Sequence, residues 1–259
     1  MGRIAFASLL LASCLLALAG AANAQSDNPP LIKIAFVGDS MADGLWGAMF
    51  RRIGRDKCLS PRIKLLRLAK NGTGLARPDQ FNWPDVVEGL ADDQNPDLFV
   101  GSFGINDRQA IVEPDRTRTE YGGDAFDAKY EQLVEDLVRS AISHGGSLIL
   151  MGLPVMQDAD VSADAADKNT LFAKGVEKVA SPFADYVAPW TSQPPPDIFK
   201  PYLRDARNVM TQVRAADGIH FTTVGYDMVG EVLYPAIVAS LKKRGRSIDV
   251  ECAQRAESK

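Results

Sequence analysis

Two histidines, and a few Ser, Asp and Asn residues beside glycines, carry the chemistry that this 259-residue sequence can offer. His144 ends a predicted helix just before Gly145-Gly146. A cation there suits the negative end of the helix dipole, so His144 reads as a cap. His220 lies in Asp217-Gly218-Ile219-His220-Phe221-Thr222. An Asp and a His three apart, just ahead of a helix, let the carboxylate reach one ring nitrogen and leave the other free. A serine nucleophile needs such a base, and a third group to orient it. Taken alone, the pair reads more simply as a locally satisfied Asp–His contact at a helix start.

The serine that would use this base is Ser40. Gly38-Asp39-Ser40 follows the apolar run Ile32 to Val37 and precedes a helical stretch, Met41 to Ile53. A sharp strand-to-helix turn exposes the hydroxyl, and the N–H groups of the new helix face any negative charge that forms there. Two more segments supply donors for such a charge. Gly104-Ile105-Asn106-Asp107 follows the run Leu98 to Phe103, and an Asn amide at a strand's end can donate to an oxyanion. Asn71-Gly72-Thr73-Gly74-Leu75 follows Ile63 to Leu68, and a glycine there lets backbone N–H groups approach a substrate closely. Either segment, taken singly, is also an ordinary turn.

Elements that hold these residues together are legible in the hydrophobic pattern. Ile32–Val37, Ile63–Leu68, Leu98–Phe103 and Ser147–Met151 are near-continuous apolar runs, as expected of parallel strands covered on both faces, and Asp185–Ala188 is a fifth candidate. Helical patterns fall at Met41–Ile53, Trp83–Ala91, Phe126–His144, Ala163–Val179 and Thr223–Lys243. In the third, Tyr130, Leu133, Val134, Leu137, Val138 and Ala141 form one apolar stripe. The alternation predicts an α/β fold with a doubly wound parallel sheet. Asn106–Gly123 and Thr191–Ala216 are expected to be long loops. In such sheets ligands bind outside the carboxyl ends of the strands, which puts Ser40, Gly72 or Gly74, and Asn106 on one rim.

These four blocks, in this order, resemble the SGNH (GDSL-type) hydrolase superfamily. The matching residues are Gly38-Asp39-Ser40, a glycine at 72 or 74, Gly104-Ile105-Asn106-Asp107 and Asp217-Gly218-Ile219-His220. Longer stretches, among them Thr73-Gly74-Leu75-Ala76-Arg77-Pro78-Asp79, Asn82-Trp83-Pro84 and Asn106-Asp107-Arg108-Gln109, look like a bacterial periplasmic branch of it. The resemblance implies a three-layer α/β/α sandwich with a central parallel sheet, the flavodoxin-like SGNH fold. It also implies an acyl-ester mechanism with Ser40 as nucleophile, His220 as base and Asp217 as its orienting partner. The N–H groups of Ser40 and Gly74 and the Asn106 amide would bind the oxyanion. Gly74 is favoured over Gly72 because Thr73-Gly74-Leu75 matches the branch better.

Composition bounds the setting. Met1–Ala24 has one charge at Arg3, an apolar stretch from Ile4 to Leu18, and a small-x-small end, Ala22-Asn23-Ala24. It reads as a secretory signal peptide, with a membrane anchor or a lipoprotein site at Cys14 as the alternatives. Residues 25–259 then form one domain, in the periplasm or secreted. The formal net charge is −4, or −5 without Arg3, and no basic run suggests nucleic acid. No apolar stretch beyond the signal is expected to span a membrane. Cys58 and Cys252 are either a disulfide or two unrelated thiols. No cofactor or metal is expected; the Asp-rich stretch Asp158–Asp167 reads as a solvated helix start rather than a calcium site. Phe81 and Trp83 are either a sugar-binding wall or core packing, and Arg77 and Arg108 are either an acid-binding pair or surface charges.

The expectation is a serine esterase that removes acyl groups, acetyl foremost, from a carbohydrate or glycoconjugate in the cell envelope. The alternatives are an O-acyltransferase on an envelope polysaccharide, using the same residues with or without an unidentified acyltransferase partner, and a glycan-binding protein without turnover. A missing catalytic residue would favour binding alone, and none is missing.

Overall fold

A computed structural model describes residues 31–189 and 198–248. The segment read as a signal peptide, Met1–Ala24, and Cys252 lie outside them. Five strands, β1 (Ile32–Gly38), β2 (Ile63–Arg67), β3 (Leu98–Ser102), β6 (Ser147–Met151) and β7 (Ala184–Val187), form one parallel sheet in the order β2-β1-β3-β6-β7. β3 and β6 are buried along their whole length, as apolar runs with both faces covered must be. Helices α1 (Ser40–Arg55) and α5 (Thr223–Lys243) pack together on one face; α2 (Trp83–Gln94), α3 (Asp124–Ile142) and α4 (Ala159–Val179) pack in series on the other. This is the expected three-layer α/β/α sandwich.

Strand order reverses between β1 and β3, the neighbours on either side of the crevice where such sheets bind ligands. Ser40 follows β1 and Asn106 follows β3, so the topology alone brings them to one crevice. The register pairs Gly38 with Ser102 at its mouth.

Three expectations change. Both stretches read as loops carry short antiparallel hairpins: β4 (Ile111–Val112) with β5 (Arg118–Thr119), and β8 (Tyr202–Arg204) with β9 (Met210–Gln212). Two or three residues are too few to show a period of two. α4 begins at Ala159, four residues earlier than expected, because Asp158 caps it by accepting from the Val161 N–H at 2.9 Å. α5 is, against expectation, long and apolar enough to cross a membrane by length and hydropathy; in the fold it packs on α1 and the sheet.

Candidate active site

The turn that presents Ser40 is set by Gly38 and Asp39. Gly38 has φ +125°, and a Cβ there would lie 2.0 Å from the Ser102 carbonyl oxygen. Only glycine can end β1 this close to β3. The Asp39 N–H donates to that same carbonyl at 3.1 Å, and its Oδ1 accepts from the Met41 N–H at 2.8 Å, capping α1. Ser40 is thus the first residue of α1, with its N–H among the unsatisfied donors of the helix start. Burial pushes the Asp39 carboxyl up to about 8; the Met41 N–H pulls it down, the nearby Asp107 charge raises it, and the Ile105 N–H lowers it.

Ser40, His220 and Asp217 come together across 180 residues of chain. Ser40 Oγ lies 2.7 Å from His220 Nε2, and His220 Nδ1 lies 2.7 Å from Asp217 Oδ2. The other Asp217 oxygen accepts from the Ile219 N–H at 2.9 Å and the His220 N–H at 3.0 Å. Partial burial pushes the Asp217 carboxyl up, but the His220 ring and these two N–H groups outweigh it and hold the group at about 2. An ionised Asp217 accepts from Nδ1–H, which leaves Nε2 as the basic nitrogen facing Ser40.

On the opposite side of the crevice, Asn106 Nδ2 donates to the Thr73 carbonyl at 2.8 Å. One amide N–H is spent in fixing the side chain, and the second has no protein acceptor among the described residues. The Thr73 carbonyl belongs to the peptide whose N–H is that of Gly74, and that N–H is also unbonded among the described residues. Gly74 is buried; Gly72 is exposed, with no atom within 4 Å of where a Cβ would stand. Asn106 thus contacts the Thr73–Gly74 peptide through its carbonyl, and Gly74, unlike Gly72, lies in the buried part of this segment.

Behind these donors stands a support that the sequence reading missed. Asp107 is fully buried and accepts from the N–H groups of Leu75 (2.9 Å) and Ala76 (3.1 Å) and from the Tyr130 hydroxyl (2.8 Å). Burial raises its pKa, while Tyr130, the two amides and the Lys168 charge pull it down. Asp107 ties the Gly74 segment to the Asn106 segment. Gln109 braces the Asn106 turn from within: its Nε2 donates to the Asn106 carbonyl at 2.7 Å. The one available signal for Tyr130 was a polar-tipped ring inside the apolar stripe of α3, because a buried Tyr hydroxyl needs a partner.

Other named residues settle into simpler places. Trp83 is buried, donates to Thr73 Oγ1 at 3.0 Å, and packs edge-on with Phe81 and Phe103, so the aromatic pair is core packing. Arg77 forms a two-pronged pair with Asp79, which Arg116 also contacts. Arg108 is exposed and faces Tyr121. Asp164, in the Asp-rich stretch, pairs with Lys168 and accepts from Tyr121. His144 lies at the surface, 3.7 Å from Asp92, rather than on the last carbonyls of α3. Cys58 is disulfide-bonded. A groove of about 650 Å³ opens along Leu153–Gln157, the start of α4, Ile198 and Phe199. It adjoins the His220 loop, since the Gln157 N–H donates to the Gly218 carbonyl at 3.0 Å.

Residues 33–236 match the family described as "Protein of unknown function (DUF459)". No curated protein matches the chain by sequence. Among solved structures it is similar to TesA (15% identity, TM-score 0.53, covering 80% of this chain and 99% of that one). It is also similar to a carbohydrate acetylesterase family member from Sinorhizobium meliloti (14%, 0.54, 82% and 100%) and to the native M. smegmatis aryl esterase (12%, 0.51, 80% and 98%). At these identities the likeness is one of fold, and that fold is the SGNH (GDSL-type) hydrolase fold expected from the four sequence blocks.

Proposed function

The chain belongs to this DUF459 family, and we propose that it is a serine esterase that cleaves acyl esters of a carbohydrate or glycoconjugate through an acyl-serine intermediate. The observation that carries the reading is the continuous line Ser40 Oγ–His220 Nε2, His220 Nδ1–Asp217 Oδ2, with both contacts at 2.7 Å.

In the first half-reaction Ser40 Oγ attacks the ester carbonyl carbon while its proton passes to His220 Nε2. Asp217 holds the ring in the required tautomer and stabilises the imidazolium. The carbonyl oxygen becomes an oxyanion facing the N–H groups of Ser40 and Gly74 and the second N–H of Asn106. Donors fixed before the reaction need no reorganisation as charge develops, and each is worth about 3–4 kcal/mol in the transition state. When the tetrahedral intermediate collapses, the carbon–oxygen bond to the alcohol breaks and His220 returns the proton to the leaving oxygen. Water then attacks the acyl-serine by the same route and regenerates Ser40.

The groove beside the His220 loop falls in the size range of small-molecule pockets and is the candidate place for a sugar-sized leaving group, although Ser40 and His220 do not line it. Acetyl is the acyl group to test first, which accords with the carbohydrate acetylesterases among the structures of like fold. The leader-like segment 1–24 supports a periplasmic or secreted site of action. The discriminating experiment incubates the mature protein with acetylated and unacetylated envelope glycans, with and without an acetyl donor. Acetate released from the acetylated glycan without a donor supports hydrolysis. Acetyl appearing on the unacetylated glycan only with a donor replaces this reading by acyl transfer. No change in any arm leaves binding without turnover.

A further inference from the structure

Arg214 is a buried cation that the mechanism above does not use. It is 4% exposed, and no carboxylate lies within ion-pair distance of it among the described residues. Its guanidinium lies over the rings of Phe221 and Phe199, 4.4 and 4.8 Å from their centroids. Burial lowers its pKa to about 10, which leaves it charged at neutral pH. A desolvated charge with no carboxylate beside it is costly unless its donors are well used. Here they are used on two loops. Nη1 donates to the Val155 carbonyl at 2.6 Å, in the loop after β6. Nη2 donates to the Ile219 carbonyl at 2.7 Å and approaches Met156 sulfur at 3.5 Å, and Nε reaches the His220 carbonyl at 3.4 Å.

Ile219 and His220 are the two residues whose N–H groups bind Asp217. The Ile219 carbonyl goes to Arg214, and the His220 carbonyl accepts from the Ala215 N–H at 2.8 Å with Arg214 Nε as its longer second contact. The loop is therefore clamped at both ends of its peptide dipoles, with a carboxylate on the N–H side and a guanidinium on the carbonyl side. This sets the backbone from which the imidazole projects, and 2.7 Å contacts at both ring nitrogens leave that ring little freedom.

We propose that Arg214 is a positioning residue, whose fork of donors on the Ile219, His220 and Val155 carbonyls holds the His220 imidazole in line between Asp217 and Ser40. Its effect on turnover rests on the esterase reading; its effect on the ring does not. Arg214 touches no reacting atom. Lysine keeps the charge but has no planar fork to span two loops, so the substitution is not conservative at this place.

The test uses the mature protein with Arg214→Lys and Arg214→Met, compared in two measurements. The first is ester hydrolysis. Arg214→Met is expected to lower kcat at least about tenfold with KM within about twofold, as for an interaction that serves the transition state. Arg214→Lys should fall between, and millimolar guanidinium should restore part of the loss in Arg214→Met but none in Arg214→Lys. The second is the ring N–H signal of His220 in a ¹⁵N-histidine NMR spectrum, which needs no turnover. The chain has two histidines, so a His144→Gln variant assigns it. The Nδ1–H signal should be sharp in the parent protein and broadened or lost in both variants. A folded Arg214→Lys or Arg214→Met protein with the parental His220 signal overturns the proposal, whatever its activity. A lost signal with no hydrolysis by the parent protein upholds the positioning role and refutes the esterase reading alone. Should Arg214→Met fail to fold, Arg214→Lys decides by the same two readings.

Discussion

The Asp107 carboxylate occupies the space that a side chain on Gly74 would need: a Cβ there would lie 1.9 Å from Asp107 Oδ1. Asp107 in turn holds the N–H groups of the next two residues, Leu75 and Ala76. The glycine is thus required by the carboxylate behind it as much as by any substrate in front.

This contact separates Gly74 from Gly72. Gly74→Ala should displace Asp107, disturb Asn106 and lower kcat by about 10²–10³, the usual effect of losing one oxyanion donor, along with a loss of stability. Gly72 has φ +77° but open space around it. Gly72→Ala should cost about 1 kcal/mol through backbone strain and leave kcat within a few-fold. Steady-state kinetics and urea denaturation of both variants check this; equal kinetic losses would remove Gly74 from the site.

Asn106→Ala removes both the donor and the tie to the Thr73 carbonyl. A fall in kcat of about 10²–10³ with a smaller change in KM is expected. A loss confined to KM would mean that Asn106 binds the ground state only.

The Asp217 carboxyl is held at about 2, below its usual 3.8. A depressed acid stabilises the fold above its unfolded pKa, and that contribution is lost as pH falls from about 4 through about 2. Denaturation profiles should therefore show an acid loss of stability over this window that Asp217→Asn lacks. The same variant should lower kcat by up to about 10⁴, because Asn cannot hold the imidazolium or enforce the tautomer. A full acid transition in Asp217→Asn would assign the depressed group elsewhere.

Tyr130→Phe deletes one of the three donors on buried Asp107. A loss of about 1–3 kcal/mol in unfolding free energy is expected, since the carboxylate is left partly unsatisfied. Chemical denaturation measures it, and an unchanged midpoint and slope would mean that Asp107 finds another donor.

How far the sequence could be read follows from the range of each signal. β1, β3 and β6 are apolar runs whose meaning is local, and they were legible. Ser40 and the Asp217–His220 pair sit in short motifs beside predicted element ends, and the structure brings them together as the resemblance implied. Asp107 was visible as a letter, but its burial was not, because its partners lie 23 to 32 positions away on α3 and the Gly74 segment. Arg214 shows the same limit: its charge suggests surface, and only the packing of Phe199, Phe221 and the Val155 loop buries it. Trp83 read as core packing ahead of a sugar wall, and the contact with Phe103 agrees with core.

The bridge at Cys58 makes a further test simple. Our proposed partner is Cys252, in the segment outside the described residues. The unreduced, unfolded mature protein should give no free thiol in an Ellman titration, and mass spectrometry of an unreduced digest should show the Cys58 and Cys252 peptides linked. Two free thiols would contradict the pairing.

The acyl-serine route depends on the hydroxyl of Ser40. Hydrolysis of p-nitrophenyl acetate by the parent protein and by Ser40→Ala, with intact-mass detection of an acyl adduct, measures its role. The parent protein should turn over ester and carry a transient acyl group on the Ser40 peptide, and Ser40→Ala should be folded, inactive and unlabelled. Parental activity in folded Ser40→Ala would rule out Ser40 as the nucleophile.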